Sequence, residues 1–178
     1  MVYGPPGAGK TTATLRFAER LRARGLRVGG FHQRATVDEL ERRGYDLVRL
    51  PDGTEVLPLA RPGSTQGEGS VATICSFLFS REAFARGLEW LRADAPKVDA
   101  LVIDEVSKLE VAGDGHCEAV RWAVSLDHPV LVVLSVRADQ LFYVVDKFEL
   151  EDRVSGYLEL PVTDHEIDAL AQRLGNQP

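Results

Sequence analysis

The sequence predicts a three-layer α/β/α fold: a mainly parallel sheet with helices on both faces and an inserted β-hairpin, built around a phosphate-binding loop (P-loop). Three observations carry that prediction. Residues 4–12, G-P-P-G-A-G-K-T-T, fit G-x-x-x-x-G-K-[ST] with Gly4, Gly9, Lys10 and Thr11 in the fixed positions. Two apolar runs, 98–106 (V-D-A-L-V-I-D-E-V) and 130–136, lack the alternation of half-buried strands and read as strands covered on both faces. Amphipathic helical patterns separate the apolar runs, and strands alternating with helices imply right-handed βαβ crossovers. The 178 residues suit one domain, large enough to bury a proper core.

Only Met1, Val2 and Tyr3 precede the loop, where a central strand needs about five residues. The first strand is therefore either unusually short or begins upstream. Residues 12–24 follow as a helix, with Leu15, Ala18 and Leu21 near one face, Phe17 beside them, and Gly25 as the stop. Residues 26–33 (L-R-V-G-G-F-H-Q) read as a short strand interrupted by Gly29 and Gly30, which mark either a close backbone approach or a bulge. Residues 34–43 are charged and aperiodic, the pattern of a loop or a short surface turn of helix.

Residues 45–50 and 55–59 flank P-D-G-T, in which Pro51 fixes φ and Gly53 supplies a positive φ; this predicts a β-hairpin. Residues 61–70 (R-P-G-S-T-Q-G-E-G-S) suit a mobile loop, either a surface connection or a flap over a nucleotide. Residues 71–79 read as one strand. Ser80 then caps a helix with Glu82 in its first turn, Phe84, Leu88 and Leu91 on one face, Trp90 beside them, and an end by Pro96. After the strand at 98–106 come a helix at 114–126, the strand at 130–136, a short helix at 139–147 and a short strand at 157–160. Thr163 to Glu166 has capping-box spacing and opens a last helix through Leu174, ending at Gly175.

The loop predicts chemistry as well as fold. Glycines let backbone N–H groups converge on phosphate oxygens at a helix N-terminus, whose partial positive charge favours anions. Gly4, Pro5, Pro6, Gly7, Ala8, Gly9, Lys10, Thr11 and Thr12 are thus the candidate nucleotide-binding residues. Lys10 is placed to reach the β- and γ-phosphates, and the Thr11 hydroxyl to ligate Mg²⁺. The partner stretch is Asp104-Glu105, at the carboxyl end of a buried strand. Asp104 is assigned to the Mg²⁺–Thr11 cluster. Glu105, expected on the other side of the strand, is assigned to orienting or deprotonating the attacking water.

Downstream, Lys108 is placed either to neutralise charge on the γ-phosphate or to form a surface ion pair. Ser135 could sense the γ-phosphate and Arg137 could act as a charge-stabilising finger in cis; the competing roles are helix capping and surface charge. His32, His116, His128 and His165 are too far apart to form a metal set.

Composition narrows the function. Hydrophobic content of 44% and charged content of 27% are ordinary for a globular protein, and a net charge of −6 argues against a nonspecific nucleic-acid surface. Cys75 and Cys117 are too few for a disulfide framework or zinc knuckle and read as small buried residues. A loop starting at the fourth residue leaves no room for a signal peptide, and no apolar run spans a bilayer, so a cytoplasmic location without a membrane partner is expected.

The reading that follows is Mg²⁺-dependent cleavage of the β–γ bond of ATP, GTP or a similar nucleoside triphosphate. Two alternatives stand beside it: a small-molecule or nucleotide kinase, and a slow nucleotide-gated switch or chaperone acting on a protein partner in metal-cofactor handling.

With the loop, V-I-D-E-V-S-K-L-E at 102–110 and G-G-F at 29–31, the chain resembles the small nucleoside-triphosphatases first described from thermophiles, a family with a human member called cancer-related nucleoside-triphosphatase. The resemblance covers most of the chain. It implies a RecA-like α/β fold and slow, Mg²⁺-dependent hydrolysis of several nucleoside triphosphates. The chain departs from the family pattern D-E-x-G-K-x-E in having Ser107 where glycine is usual. Arg43-Gly44-Tyr45 is one residue tighter than the family's R-x-G-[FY], and the E-V-R that follows the family's G-F segment is not recognisable in 32–38.

Overall fold

The centre of the molecule is the strand β7 (Ala100–Val106), whose first four residues are fully buried. Leu101 and Ile103 enter a core on one face of the sheet, while Ala100 and Val102 enter a second core on the other. Both faces are therefore covered, which is why the run carries no polar alternation. The computed structural model describes residues 1–38, 41–50, 52–63, 70–74 and 77–175.

The chain runs β1 (Val2–Gly4), α1 (Lys10–Ala23), β2 (Val28–Asp38), β3 (Glu41–Leu50), β4 (Val56–Pro62), β5 (Ser70–Ile74), β6 (Phe77–Ser80), α2 (Arg81–Asp94), β7, α3 (Lys108–Ala112), α4 (Cys117–Val124), β8 (Leu131–Arg137), α5 (Leu141–Lys147), β9 (Leu158–Glu159) and α6 (Asp164–Gly175). The described strands form one sheet in the order β5-β6-β4-β3-β2-β7-β8-β1-β9. Pairings from β2 to β9 are parallel, and those from β2 outward to β5 are antiparallel.

Helices α1 and α6 bury Phe17, Leu21, Ile167 and Leu170 against one face. On the other, α2, α4 and α5 bury Leu88, Leu91, Val120 and Val144. The predicted α/β/α sandwich with a mixed sheet is thus the observed one. The first strand is short, three residues held between β8 and β9.

The inserted region is larger than one hairpin. Residues 34–43, expected as a loop or helical turn, extend β2 to Asp38 and begin β3 at Glu41. Cross-strand ion pairs hold this outer half: Arg34 faces Asp46 at 3.3 Å and Arg43 faces Asp38 at 3.7 Å. The expected hairpin pairing forms between β3 and β4, while Pro51 lies outside the described residues. The strand expected at 71–79 is instead two antiparallel strands, β5 and β6. Most of the proposed flap at 61–70, and Cys75, lie outside the described residues.

Gly30 settles the meaning of the paired glycines. Its φ is +98°, and a Cβ there would stand 2.2 Å from the Val102 carbonyl oxygen, so β2 needs glycine to lie this close to β7. Its N–H donates to Asp94 Oδ2 at 3.0 Å, and Asp94 Oδ1 accepts from Arg49 Nη2 at 2.6 Å. One carboxylate at the end of α2 therefore ties β2 to β3.

Ser80 and the Thr163–Glu166 box cap their helices as predicted, with the Ala83 N–H donating to Ser80 Oγ at 3.2 Å and the Thr163 N–H to Glu166 Oε2 at 2.8 Å. Helix α4 begins later than expected because Glu110 engages the chain before it.

Candidate active site

The loop leaves the end of β1 and enters α1 through Gly9, at φ 89°. Gly7 lies at φ +78°, and a Cβ at either glycine would meet no atom within 4 Å. Backbone conformation, not space, requires glycine at both positions. The Ala8 N–H donates to the Pro5 carbonyl at 3.2 Å, which tightens the turn. Pro5, Pro6, Gly7, Ala8 and Gly9 are exposed, and so is Thr12 at the start of the helix. Lys10 is the exception: only 5% exposed, it folds back beneath the loop with Nζ 3.4 Å from the Pro5 carbonyl.

The carboxyl end of β7 comes to the same place. Thr11 Oγ1 donates to Asp104 Oδ2 at 2.9 Å, joining residues 93 positions apart. Asp104 has no exposed surface and accepts two further hydrogen bonds, from the Gln33 N–H at 3.1 Å and from the Ser135 hydroxyl on Oδ1. Ser135 thus contacts the acidic cluster directly. The Gln33 contribution is a backbone donor and leaves no residue signature in the sequence.

A carboxylate beside a hydroxyl at the end of a phosphate loop is chemically suited to a hard cation such as Mg²⁺. That ion takes oxygen ligands and is usually held by one or two protein groups together with substrate phosphates. Among the described residues, no group of three or more His, Cys, Asp or Glu side chains is placed to hold a metal ion.

Glu105 stands differently from the alternation expected of a strand. The β7–β8 register shifts between Ile103 and Val106, and the Asp104–Glu105 peptide is cis. Both carboxylates reach the loop, but at different partners. Asp104 meets Thr11, whereas Glu105 Oε1 lies 3.8 Å from Lys10 Nζ. Burial pushes the Glu105 carboxyl above its usual range; the Lys10 ammonium pulls it back, Asp104 adds to the rise, and Arg137 opposes it.

Arg137 ends β8 in register with Gly4, at the root of the loop. Asp139 clasps its guanidinium in a two-point contact, Nε–Oδ1 3.0 Å and Nη2–Oδ2 2.8 Å. Lys108 is the exposed first residue of α3. Glu105, Lys108 and Arg137 all line one cavity of about 280 Å³, which Pro6 of the loop also borders. Lys10, Thr11, Asp104 and Glu105 therefore form a contiguous group, with Lys108 and Arg137 at its edge.

Helix α3 escaped prediction although a signal was present: Ser107 and Glu110 have capping-box spacing. Glu110 is buried and accepts the Ser107 N–H at 2.7 Å and the His116 N–H at 2.8 Å. Burial raises its pKa to about 7, against the pull of these two donors. His116 packs between the rings of Phe31, centroids 4.4 Å apart, and Phe84, at 4.7 Å. With both ring nitrogens unpartnered, burial lowers its pKa to about 3, so it is a neutral core residue. Cys117 beside it is buried, as expected.

A family model described as NTPase matches residues 1–174. The nucleoside-triphosphatase THEP1 of Methanocaldococcus jannaschii is 28% identical over 133 residues, covering 75% of each chain. The cancer-related nucleoside-triphosphatase homolog of Mus musculus is 32% identical over 135 residues, covering 72% of this chain and 70% of that one. In three dimensions, the solution structure of a human cancer-related nucleoside triphosphatase matches 97% of this chain and 93% of its own with a TM-score of 0.69. At 24% identity that match speaks for the fold. No helix among the described residues is long and apolar enough to cross a membrane.

Proposed function

Because the chain belongs to the NTPase family, whose model spans residues 1–174, we propose that it is a nucleoside-triphosphate phosphohydrolase cleaving the β–γ bond of ATP, GTP or a related nucleotide to the diphosphate and phosphate. The observation that carries this reading is the 2.9 Å contact between Thr11 and Asp104, which brings an anion-binding loop and a buried carboxylate to one point.

Residues 4–12 cradle the triphosphate, with Lys10 contacting the β- and γ-phosphates from beneath the loop. Thr11 and Asp104 are the residues to hold Mg²⁺, which neutralises charge on the phosphate oxygens when bound. Glu105 orients the attacking water and takes its proton. Burial raises its pKa, which makes its carboxylate a stronger base than that of an exposed glutamate. Arg137, aligned by Asp139, and Lys108 stabilise charge on the transferring phosphoryl group from the nucleophile side.

Steady-state phosphate release across ATP, GTP, CTP and UTP, with and without Mg²⁺, tests the proposal. Lys10→Ala is expected to abolish release, and Glu105→Gln to remove turnover while retaining nucleotide binding. Hydrolysis by Glu105→Gln at the parent rate would overturn the role given to Glu105.

A further inference from the structure

Water needs no aromatic chamber, yet one adjoins the proposed base. The cavity of about 280 Å³ is lined by Glu105 and Pro6 together with Tyr45, Phe77, Phe79 and Phe84. These four rings come from β3, β6 and α2, the region beyond β2. Phe77 and Phe79 are half-buried, and Phe79 packs against the core. Tyr45 meets Phe77 edge-on with centroids 5.9 Å apart, and Phe79 stacks on Phe84 at 6.1 Å. Lys108 and Arg137 add positive charge to the lining that Glu105 shares.

In phosphoryl transfer the nucleophile and the leaving group lie roughly in line through the γ-phosphorus. With the γ-phosphate at Lys10 and Thr11, the leaving diphosphate stays in the loop. What lies beyond Glu105 is then on the nucleophile side and does not hold the substrate's own base. The volume falls just below the roughly 300–1,000 Å³ of drug-sized sites, and suits one planar heterocycle with a short hydroxyl-bearing arm.

The geometry points to an acceptor site: this cavity binds a nucleoside-sized aromatic heterocycle carrying a primary hydroxyl, and the protein transfers the γ-phosphoryl group to it. The inference rests on the hydrolytic reading of the same site, with the acceptor displacing water. The acceptor hydroxyl oxygen forms a bond to the γ-phosphorus as the bond from that phosphorus to the β–γ bridging oxygen breaks. The hydroxyl proton passes to Glu105 and then to solvent, and the electron pair leaves with the nucleoside diphosphate.

The experiment incubates the full chain with γ-labelled ATP, Mg²⁺ and each of adenosine, guanosine, cytidine, uridine and thymidine at millimolar concentration. It separates labelled nucleoside monophosphate from free phosphate, with Lys10→Ala as the blank. At least one nucleoside is expected to give labelled monophosphate at tenfold or more over the blank. Phe77→Leu keeps apolar volume but removes a ring, and is expected to raise that nucleoside's KM about tenfold, the loss of one ring–base stack. Its melting temperature shows that it folds. Free phosphate alone with all five nucleosides overturns the acceptor site and leaves hydrolysis standing. An unchanged nucleoside KM in folded Phe77→Leu overturns the assignment of transfer to this cavity. Neither product from the parent chain overturns the hydrolytic reading, and the acceptor site with it.

Discussion

Replacing Asp104 by Asn separates the electrostatic role of this side chain from its structural one. Asp104 Oδ2 accepts from Thr11 Oγ1 at 2.9 Å and from the Gln33 N–H at 3.1 Å, while Oδ1 accepts from Ser135. An asparagine placed with its carbonyl at the Oδ2 position keeps the first two partners. Its amide then faces the Ser135 hydroxyl, which rotates to accept. The hydrogen bonds survive without charge assistance, at a cost of about 1 kcal/mol for each of the two Oδ2 bonds, partly offset because a buried charge disappears. A net loss of at most about 2 kcal/mol lowers the melting temperature by no more than about 4–8 °C in a chain of this size.

Activity responds far more. Losing the carboxylate that would hold the cation forfeits several kcal/mol of transition-state stabilisation, a fall in kcat of about 10²–10³-fold. Calorimetry and Mg²⁺-dependent phosphate release measure the two effects separately. Turnover within about threefold of the parent would refute the role assigned to Asp104. A melting temperature lowered by more than about 10 °C would refute the hydrogen-bond accounting.

Two further perturbations test the scaffold. Gly30→Ala puts a Cβ 2.2 Å from the Val102 carbonyl at φ +98°; it is expected to cost about 3 kcal/mol or more, and a calorimetric change below about 2 °C would contradict the close approach of β2 to β7. Glu110 and His116 make opposite contributions to the pH dependence of stability. Glu110, raised to about 7 from 4.5, stabilises fully below pH 4.5 and loses that contribution as pH rises to 7; His116, lowered to about 3 from 6.5, makes stability rise with pH from 3 to 6.5. The two slopes cancel between pH 4.5 and 6.5 in the parent. In His116→Leu, stability should fall with pH across that window by about 1.4 kcal/mol per unit, and a flat denaturation profile would show that the two groups do not compensate.

The site was legible where function needs particular residue types at short spacing. The loop, Lys10, Thr11 and Asp104-Glu105 stand out because phosphate and metal chemistry restrict both residue choice and interval. The central strands were legible because burial on two faces leaves an uninterrupted apolar run. The outer half of β2 was not, since Arg34, Ala35, Val37 and Asp38 are exposed and the strand is joined to β3 through charges such as Arg34 and Asp46, so no hydrophobic alternation marks it. The break between β5 and β6 was hidden in a run apolar enough to read as one strand. The Gln33 backbone donor to Asp104 had no sequence signal at all, whereas the Ser107–Glu110 box did.

The Asp94 carboxylate has a mechanical consequence. By gripping the Gly30 amide and the Arg49 guanidinium together, it fastens the added strands to the parallel sheet at their root. Those strands cannot hinge about β2 as a separate lid without breaking a buried charge-assisted contact. The ring-lined chamber is accordingly held in shape before any guest arrives, its strands fixed to the sheet that carries Glu105.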